Sequence, residues 1–358
     1  MKVVVFGATG NVGSALMRAL SSRPDVTSLV GVARRVPAPP LASDQRLSWH
    51  ACDIASDSLA VIDGADVVVQ LAWQIQPSRD EAAMRRTNVI GTTRIARAVA
   101  DREVPALVCA SSVGTYAAHS RDERVDETWS ATGIESSTYS RHKAEVELML
   151  DTFEAEHPRT RVVRMRTSLV FQRSAASRIH RLFLGPFLPW HLPRSLRIVP
   201  GVSSLQFQAT HADDVADAYL RVITSEVAGP FNVAAEPVLD PAVIADAVGG
   251  RTVPMSRAML RTITSMSYAV HLQPTEPGWI DMATRSPLMD ASRVRDEVGW
   301  LPRHSSVSAL RELLDGIGDG AGGTTPPLHP RRPPTPSTPS TLDRHSIDTP
   351  SKGNDPAP

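Results

Sequence analysis

In the first half of the chain, short unbroken apolar runs alternate with longer stretches in which apolar residues recur every three or four positions. A β-branched run with no polar alternation predicts a strand covered on both faces, and the 3.6-residue recurrence predicts a helix with one buried side. Strands are expected at Lys2–Phe6, Ser28–Val32, Leu47–Cys52, Asp66–Leu71, Ala106–Ala110 and Arg161–Arg166. Helices are expected at Asn11–Ser22, where Val12, Leu16, Ala19 and Leu20 share a side, at Arg79–Ala100, and from near Thr138 to Glu156. Buried strands separated by helices require a parallel sheet with right-handed crossovers, hence an α/β doubly wound parallel sheet.

The rhythm changes after residue 172. Ile179–Pro193 is apolar but interrupted by proline, which cannot donate to a strand ladder, and is expected to form a cap on the substrate side. Strands at Phe207–Thr210 and Gly229–Val233 alternate with helices Asp213–Thr224 and Pro241–Val248. A further helix at Ala291–Val298 has Asp290 as its N-cap and Gly299 at its end. From Gly318 the chain turns to Gly, Pro, Thr and Ser, which bury too little apolar surface to offset ordering. The expected organisation is a dinucleotide-type core over 1–172, a smaller substrate-binding region over 173–317 interleaved with it, and a disordered Pro-rich tail over 318–358.

Charge narrows the partners. The 358 residues carry 38 basic and 38 acidic side chains, so a polyanionic partner such as nucleic acid is not expected. Two cysteines, Cys52 and Cys109, make no disulfide framework, and no apolar run reaches signal-peptide or membrane-spanning length. A cytoplasmic protein without membrane partners follows. There is no His-Glu-x-x-His or close Cys/His pairing, so no metal is expected, and no Gly-x-Ser-x-Gly of a serine hydrolase.

The chemistry begins at Gly7-Ala8-Thr9-Gly10-Asn11-Val12-Gly13, between the first strand and the first helix. Glycines there allow a tight turn and close approach of a pyrophosphate to the helix N-terminus. This places Gly7, Thr9, Gly10, Asn11, Val12 and Gly13 on a dinucleotide, with Leu71 at the end of the fourth strand and Ala72 after it also against it. The second strand ends in Ala33-Arg34-Arg35, with no acid for a free ribose 2′-hydroxyl. Two guanidinium groups suit a 2′-phosphate, so NADP is favoured over NAD. Asp53 and Ile54 follow the third strand and border the adenine, unless Asp53 is only a turn residue.

Tyr139-Ser140-Arg141-His142-Lys143 puts Tyr139 and Lys143 one helical turn apart on one face. A neighbouring ammonium favours the phenolate and brings tyrosine toward acid/base work. Ser111 and Ser112 leave the fifth strand, where a hydroxyl can donate to a substrate oxygen; Ser112 is the choice.

Together these features resemble the short-chain dehydrogenase/reductase superfamily, in its extended branch, the NAD-dependent epimerase/dehydratase family. Asn88-Val89-Ile90-Gly91-Thr92, His211-Ala212-Asp213-Asp214-Val215-Ala216, Phe231-Asn232-Val233 and Val298-Gly299-Trp300-Leu301-Pro302 are similar to that branch's other motifs, and the resemblance covers about residues 1–317. It implies a Rossmann fold, a Ser112, Tyr139, Lys143 catalytic triad, support of the cofactor by Asn88, and a homodimer through helices 79–100 and 138–156. Two departures bear on substrate. Leu169 stands where the family's sugar-nucleotide epimerases usually carry the Asn of Arg-x-x-Asn, and Phe207-Gln208-Ala209 replaces their Arg-Asp-Tyr. Trp73, Ile75, Phe183, Phe187 and Trp190 offer apolar surface instead, for substrate or for core and dimer packing. The expected reaction is hydride transfer between NADP(H) and a secondary alcohol or ketone of a largely apolar small molecule. The alternatives are a sugar-nucleotide epimerase or dehydratase using the same triad, and a non-catalytic dinucleotide sensor.

Overall fold

Consecutive side chains of a strand point to opposite faces of a sheet. Val3, Val4, Val5 and Phe6 are all fully buried, so both faces of the sheet they build must be covered. A computed structural model, describing residues 1–37, 45–75, 79–120, 123–184 and 198–330, shows how. Seven strands form the central sheet: β1 (Lys2–Phe6), β2 (Ser28–Ala33), β3 (Leu47–Ala51), β4 (Val67–Gln70), β5 (Ala106–Ser112), β6 (Arg161–Thr167) and β7 (Gly229–Val233). They lie in the order β3-β2-β1-β4-β5-β6-β7, and every pairing is parallel. This is the doubly wound Rossmann sheet. Val3 and Val5 pack with Leu16 and Leu20 of helix Asn11–Ser21 and Val215 and Tyr219 of helix Ala212–Ile223. Val4 and Phe6 face Ile95 and Val99 of helix Gly91–Asp101 and Val146 and Leu150 of helix Thr138–Glu156.

Parallel strands place all their carboxyl ends on one edge, and the order reverses between β1 and β4, where a crevice opens. The chain after residue 172 contributes β7 to the sheet and builds small pairs around the crevice. Leu169–Phe171 pairs with Ala209–His211, Ile198–Gly201 with Arg251–Pro254, and Arg124–Val125 with Leu288–Met289.

Several expectations shift. The strand expected at Phe207–Thr210 begins only at Ala209, because Phe207 is diverted into a bridge with Leu239. The helix expected from Ala291 starts at Ser292, although the Asp290 carboxylate still accepts from the Ser292 N–H at 2.8 Å. The long helix expected from Arg79 begins at Glu81 behind an Asp80 cap and contains a π turn at Arg86–Ile90. Among the described residues, four helices escaped the pattern: Ala176–Ile179, Arg257–Ala269, Gly278–Arg285 and Ser306–Gly318.

The expected disordered tail is corrected in its first part. Residues 318–330 run back to the crevice, where Leu328 is only 1% exposed. The Thr325 hydroxyl donates to the Thr9 carbonyl at 2.8 Å, and the Arg181 guanidinium to the Pro327 carbonyl at 2.9 Å. A single buried leucine and a few backbone acceptors suffice to dock a short segment whose composition argued otherwise. Residues 331–358 lie outside the described residues, as do Phe187 and Trp190.

Candidate active site

The glycine loop shows the geometry a dinucleotide needs. Gly7 has φ +77°, and a Cβ there would sit 2.6 Å from the Leu71 and Ala72 backbone. At Gly13 a Cβ would come within 2.2 Å of the Gly7 carbonyl, so helix and strand approach as only glycine permits. Helix Asn11–Ser21 has Gly10 as its N-cap, no side-chain cap and no acid in its first turn, which leaves its N–H groups for an external anion. The cradle fits a pyrophosphate.

From this loop a cavity of about 660 Å³ runs along the carboxyl edge of the sheet. It is lined by Gly7, Thr9, Gly10, Asn11, Val12 and Gly13, by Arg34, Arg35, Asp53 and Ile54, and by Leu71, Ala72, Trp73 and Ile75. Ser112, Tyr139, Lys143, Leu169 and Phe183 line it too. Sequence reasoning therefore brought these residues to one cavity. Asn88 is placed differently. It is buried outside the lining, where its side chain accepts from the Gln74 N–H at 2.7 Å and donates to the Gln74 carbonyl at 2.9 Å. It shapes the loop that carries Trp73 rather than touching the cavity. The Asn11 amide is also committed: it donates to the Val170 carbonyl and accepts from Gln172, both at 2.8 Å, and its own carbonyl accepts from Gln172 as well. One Asp53 oxygen accepts from the Ala55 N–H at 2.9 Å, so this residue is a turn former as well as a lining group.

Helix Thr138–Glu156 aims Tyr139 and Lys143 at the crevice. Ser137 caps it, and the Ser140 hydroxyl ties it to the Gly114 carbonyl at the end of β5. The Lys143 ammonium donates to the Ala110 carbonyl at 2.7 Å. Ser111 and Ser112 separate clearly. The Ser111 hydroxyl is taken by buried Glu147 at 2.5 Å, whereas Ser112 lies against Tyr139 and accepts from the Gly114 N–H at 3.1 Å. Glu147 is further engaged by Arg166 and Arg164, and Arg166 by the Tyr116 hydroxyl. This buried network fixes the helix against β5 and β6.

Burial pushes the Tyr139 hydroxyl up to about 12, opposed by its hydrogen bond with Ser112. Burial also pulls the Lys143 ammonium down to about 7, opposed by the carboxylate of Glu147. Aromatic rings wall in the tyrosine: Trp279 at 5.0 Å between centroids, Trp73 at 5.9 Å edge-on, and Phe183 5.0 Å beyond Trp279. Sequence reasoning missed Trp279 and Met282, which come from the unforeseen helix Gly278–Arg285, and Arg178, from the short helix Ala176–Ile179. An unassigned tryptophan after Pro277-Gly278 was the one available signal for the first.

The family model for the NAD dependent epimerase/dehydratase family matches residues 3–234. The chain belongs to this family. It is a family of enzymes, and the epimerase/dehydratase core thus includes β1 through β7. Among curated proteins, the chain is 28% identical over 319 residues to an uncharacterized protein of Mycobacterium tuberculosis, covering 87% of this chain but 30% of that protein. The chain thus spans under a third of the length of these first relatives. A second uncharacterized protein of that organism is 22% identical over 338 residues, covering 92% of this chain and 86% of its own length.

Among solved structures, the dTDP-glucose 4,6-dehydratase of Streptomyces venezuelae with NAD bound superposes at TM-score 0.66 and 17% identity, covering 89% of this chain and 97% of that one. The UDP-glucuronic acid 4-epimerase of Bacillus cereus, solved with UDP-glucuronic acid and NAD, gives TM-score 0.65 and 17% identity, covering 89% and 99%. These likenesses establish the fold. Among the described residues, no helix is long and apolar enough to cross a membrane.

Proposed function

We propose that this member of the epimerase/dehydratase family transfers hydride between NADP(H) and a secondary alcohol or ketone on a largely apolar small molecule. The observation that carries the reading is the distribution of charge along the cavity. Among the described residues that line it, the charged side chains are Arg34, Arg35, Asp53, Lys143 and Arg178. Among the described residues, the rings around Tyr139 are Trp73 and Trp279, with Phe183 beyond Trp279, and Phe207, Ile280 and Met282 add apolar lining to the same cavity. A sugar diphosphate needs cationic or polar partners there. An apolar ring system needs what is present.

The roles follow from placement. Nicotinamide, when bound, supplies or accepts the hydride. Tyr139 moves the proton to or from the substrate oxygen, and Ser112 donates a hydrogen bond to that oxygen. Lys143 stabilises the phenolate when protonated and holds the nicotinamide ribose. Its ammonium is pulled toward neutrality by burial, so it is sensitive to any charge placed near it. Arg34 and Arg35, exposed at the end of β2, favour the 2′-phosphate of NADP.

The second reading is a sugar-nucleotide epimerase or dehydratase, favoured by the UDP-glucuronic acid and NAD in the solved fold relatives. Calorimetry with cofactor present discriminates. Tight binding of a UDP- or dTDP-sugar would overturn the apolar-substrate reading. Stoichiometric consumption of added NADPH with apolar ketones, and weak sugar-nucleotide binding, is the expected result.

A further inference from the structure

Arginines buried or half-buried in this protein generally have acceptors. Arg164 meets Glu147, Asp151 and Glu154, Arg166 meets Glu147, and Arg161 donates to the carbonyls of Val222 and Val227. Arg178 breaks the pattern. It is half-buried on the short helix Ala176–Ile179 and lines the same cavity as Arg34 and Arg35. The ionic neighbours that act on it are Arg181, Arg35 and Arg34, all of its own sign. Burial first, and then these three charges, pull its guanidinium down to about 10. Among the described residues, no carboxylate pairs with Arg178, Arg34 or Arg35.

The helix that carries Arg178 is firmly held. Ala176 and Ser177 are fully buried, and Ala176 packs on Leu313 and Ile317. The Ser177 N–H donates to the Ala321 carbonyl at 3.0 Å and its hydroxyl to the Gly320 carbonyl at 3.2 Å. Arg178 is thus placed in a position that costs stability in the free protein, since a partly desolvated cation among like charges has no compensating partner. An anion entering the cavity between the loop after β2 and this helix would supply the compensation.

We propose that Arg178 is a third arm of the site that reads the 2′-phosphate on the adenosine ribose of NADP, closing on it from the side opposite Arg34 and Arg35. This rests on the NADP reading above. A planar guanidinium can engage two phosphate oxygens at once, and a phosphate dianion has oxygens for donors on both sides. The loop after β2 alone offers exposed arginines that salt screens; Arg178 adds a donor with less water around it. The cofactor's phosphate choice is then shared between the core and the element that follows β6.

The test compares 2′,5′-ADP with 5′-AMP by calorimetry, because the two differ only in the 2′-phosphate. The wild-type protein should bind 2′,5′-ADP at least about tenfold tighter. Arg178→Gln should remove most of that preference while leaving 5′-AMP affinity unchanged. Its ligand-free melting temperature should equal or exceed that of the wild type, because a repulsive charge is gone. Should that variant melt early, Arg178→Lys, which keeps the charge but loses the fork, should still reduce the preference severalfold. A wild type that does not discriminate would defeat the NADP reading itself, and this inference with it. If the wild type discriminates and both Arg178 variants keep the full preference, the inference alone fails. Equal weakening of both nucleotides would place Arg178 on the 5′-phosphate side and overturn it too.

Discussion

The ammonium of Lys143 lies 3.5 Å from the centre of the Trp73 ring. Its hydrogen-bond partner is the Ala110 carbonyl, so its surroundings are an aromatic face and a strand end rather than a carboxylate. A cation–π contact and one carbonyl compensate only part of the lost hydration, which is why the lysine titrates near neutrality.

That displacement predicts how stability changes with pH. The Lys143 pKa falls from 10.5 to about 7 on folding, so between these values the unfolded chain binds the extra proton. Stability then rises as pH increases from 7 toward 10. Replacing Lys143 with Met removes the titrating group. Melting scans of the cofactor-free protein from pH 7 to 9.5 should show a smaller upward slope in Lys143→Met than in wild type; equal slopes would place the lysine in water.

Tyr139→Phe removes one hydroxyl from a ring held by Trp73 and Trp279. Folding and cofactor affinity should persist while turnover falls about a hundredfold or more. Steady-state kinetics beside a calorimetric cofactor titration checks both halves, and near-normal turnover would remove Tyr139 from the chemistry.

The aromatic wall predicts a different signature. Trp279→Ala should raise KM for an apolar substrate by about tenfold or more, as expected for losing a large buried apolar contact, with NADP affinity unchanged. A drop in kcat at constant KM would mean that the ring positions Tyr139 instead.

Replacing both Arg34 and Arg35 with Ala should weaken NADP binding by about tenfold to a hundredfold, since hydrogen bonds to charged groups are worth roughly 1.5–3 kcal/mol. NAD binding should barely change. The wild-type preference should shrink as salt rises, because both side chains are exposed. Equal loss of both cofactors in titrations would show that the pair does not read the phosphate.

The docked C-terminal segment gives the last prediction. A chain ended at Gly320 loses buried Leu328 and the Thr325 bond to Thr9. Its melting temperature should fall by roughly 3–6 °C relative to a chain ended at Pro330, and its dinucleotide affinity should drop. Indistinguishable melting curves for the two would mean that the segment contributes nothing.

The core was legible because its signals are local. Val-rich β1 and the glycine loop carry their own periodicity and punctuation, and the Tyr139–Lys143 spacing is one helical turn. What the sequence hid depends on distant partners. Helix Arg257–Ala269 buries no residue, and Met259, Ile263 and Met266 are exposed, so its apolar positions mark no core face. Trp279 becomes a wall residue only because Gly278–Arg285 packs beside Tyr139, a contact across some 140 positions that no local pattern encodes. Arg178 looks like any surface arginine until the fold surrounds it with others. Leu328, isolated among prolines, gave no hint that it was one contact of a docked end.

The hydrogen bond from Thr325 to Thr9 joins residues 316 positions apart. One carbonyl of the glycine loop thus waits for a partner translated more than three hundred positions later. The sheet from β1 to β5 can assemble by local crossovers without that contact. The cavity's mouth reaches its final shape only when residues 318–330 dock, so a folding intermediate without that contact would present a core with an unfinished mouth. Capacity to hold a dinucleotide would then report that these two distant segments had met.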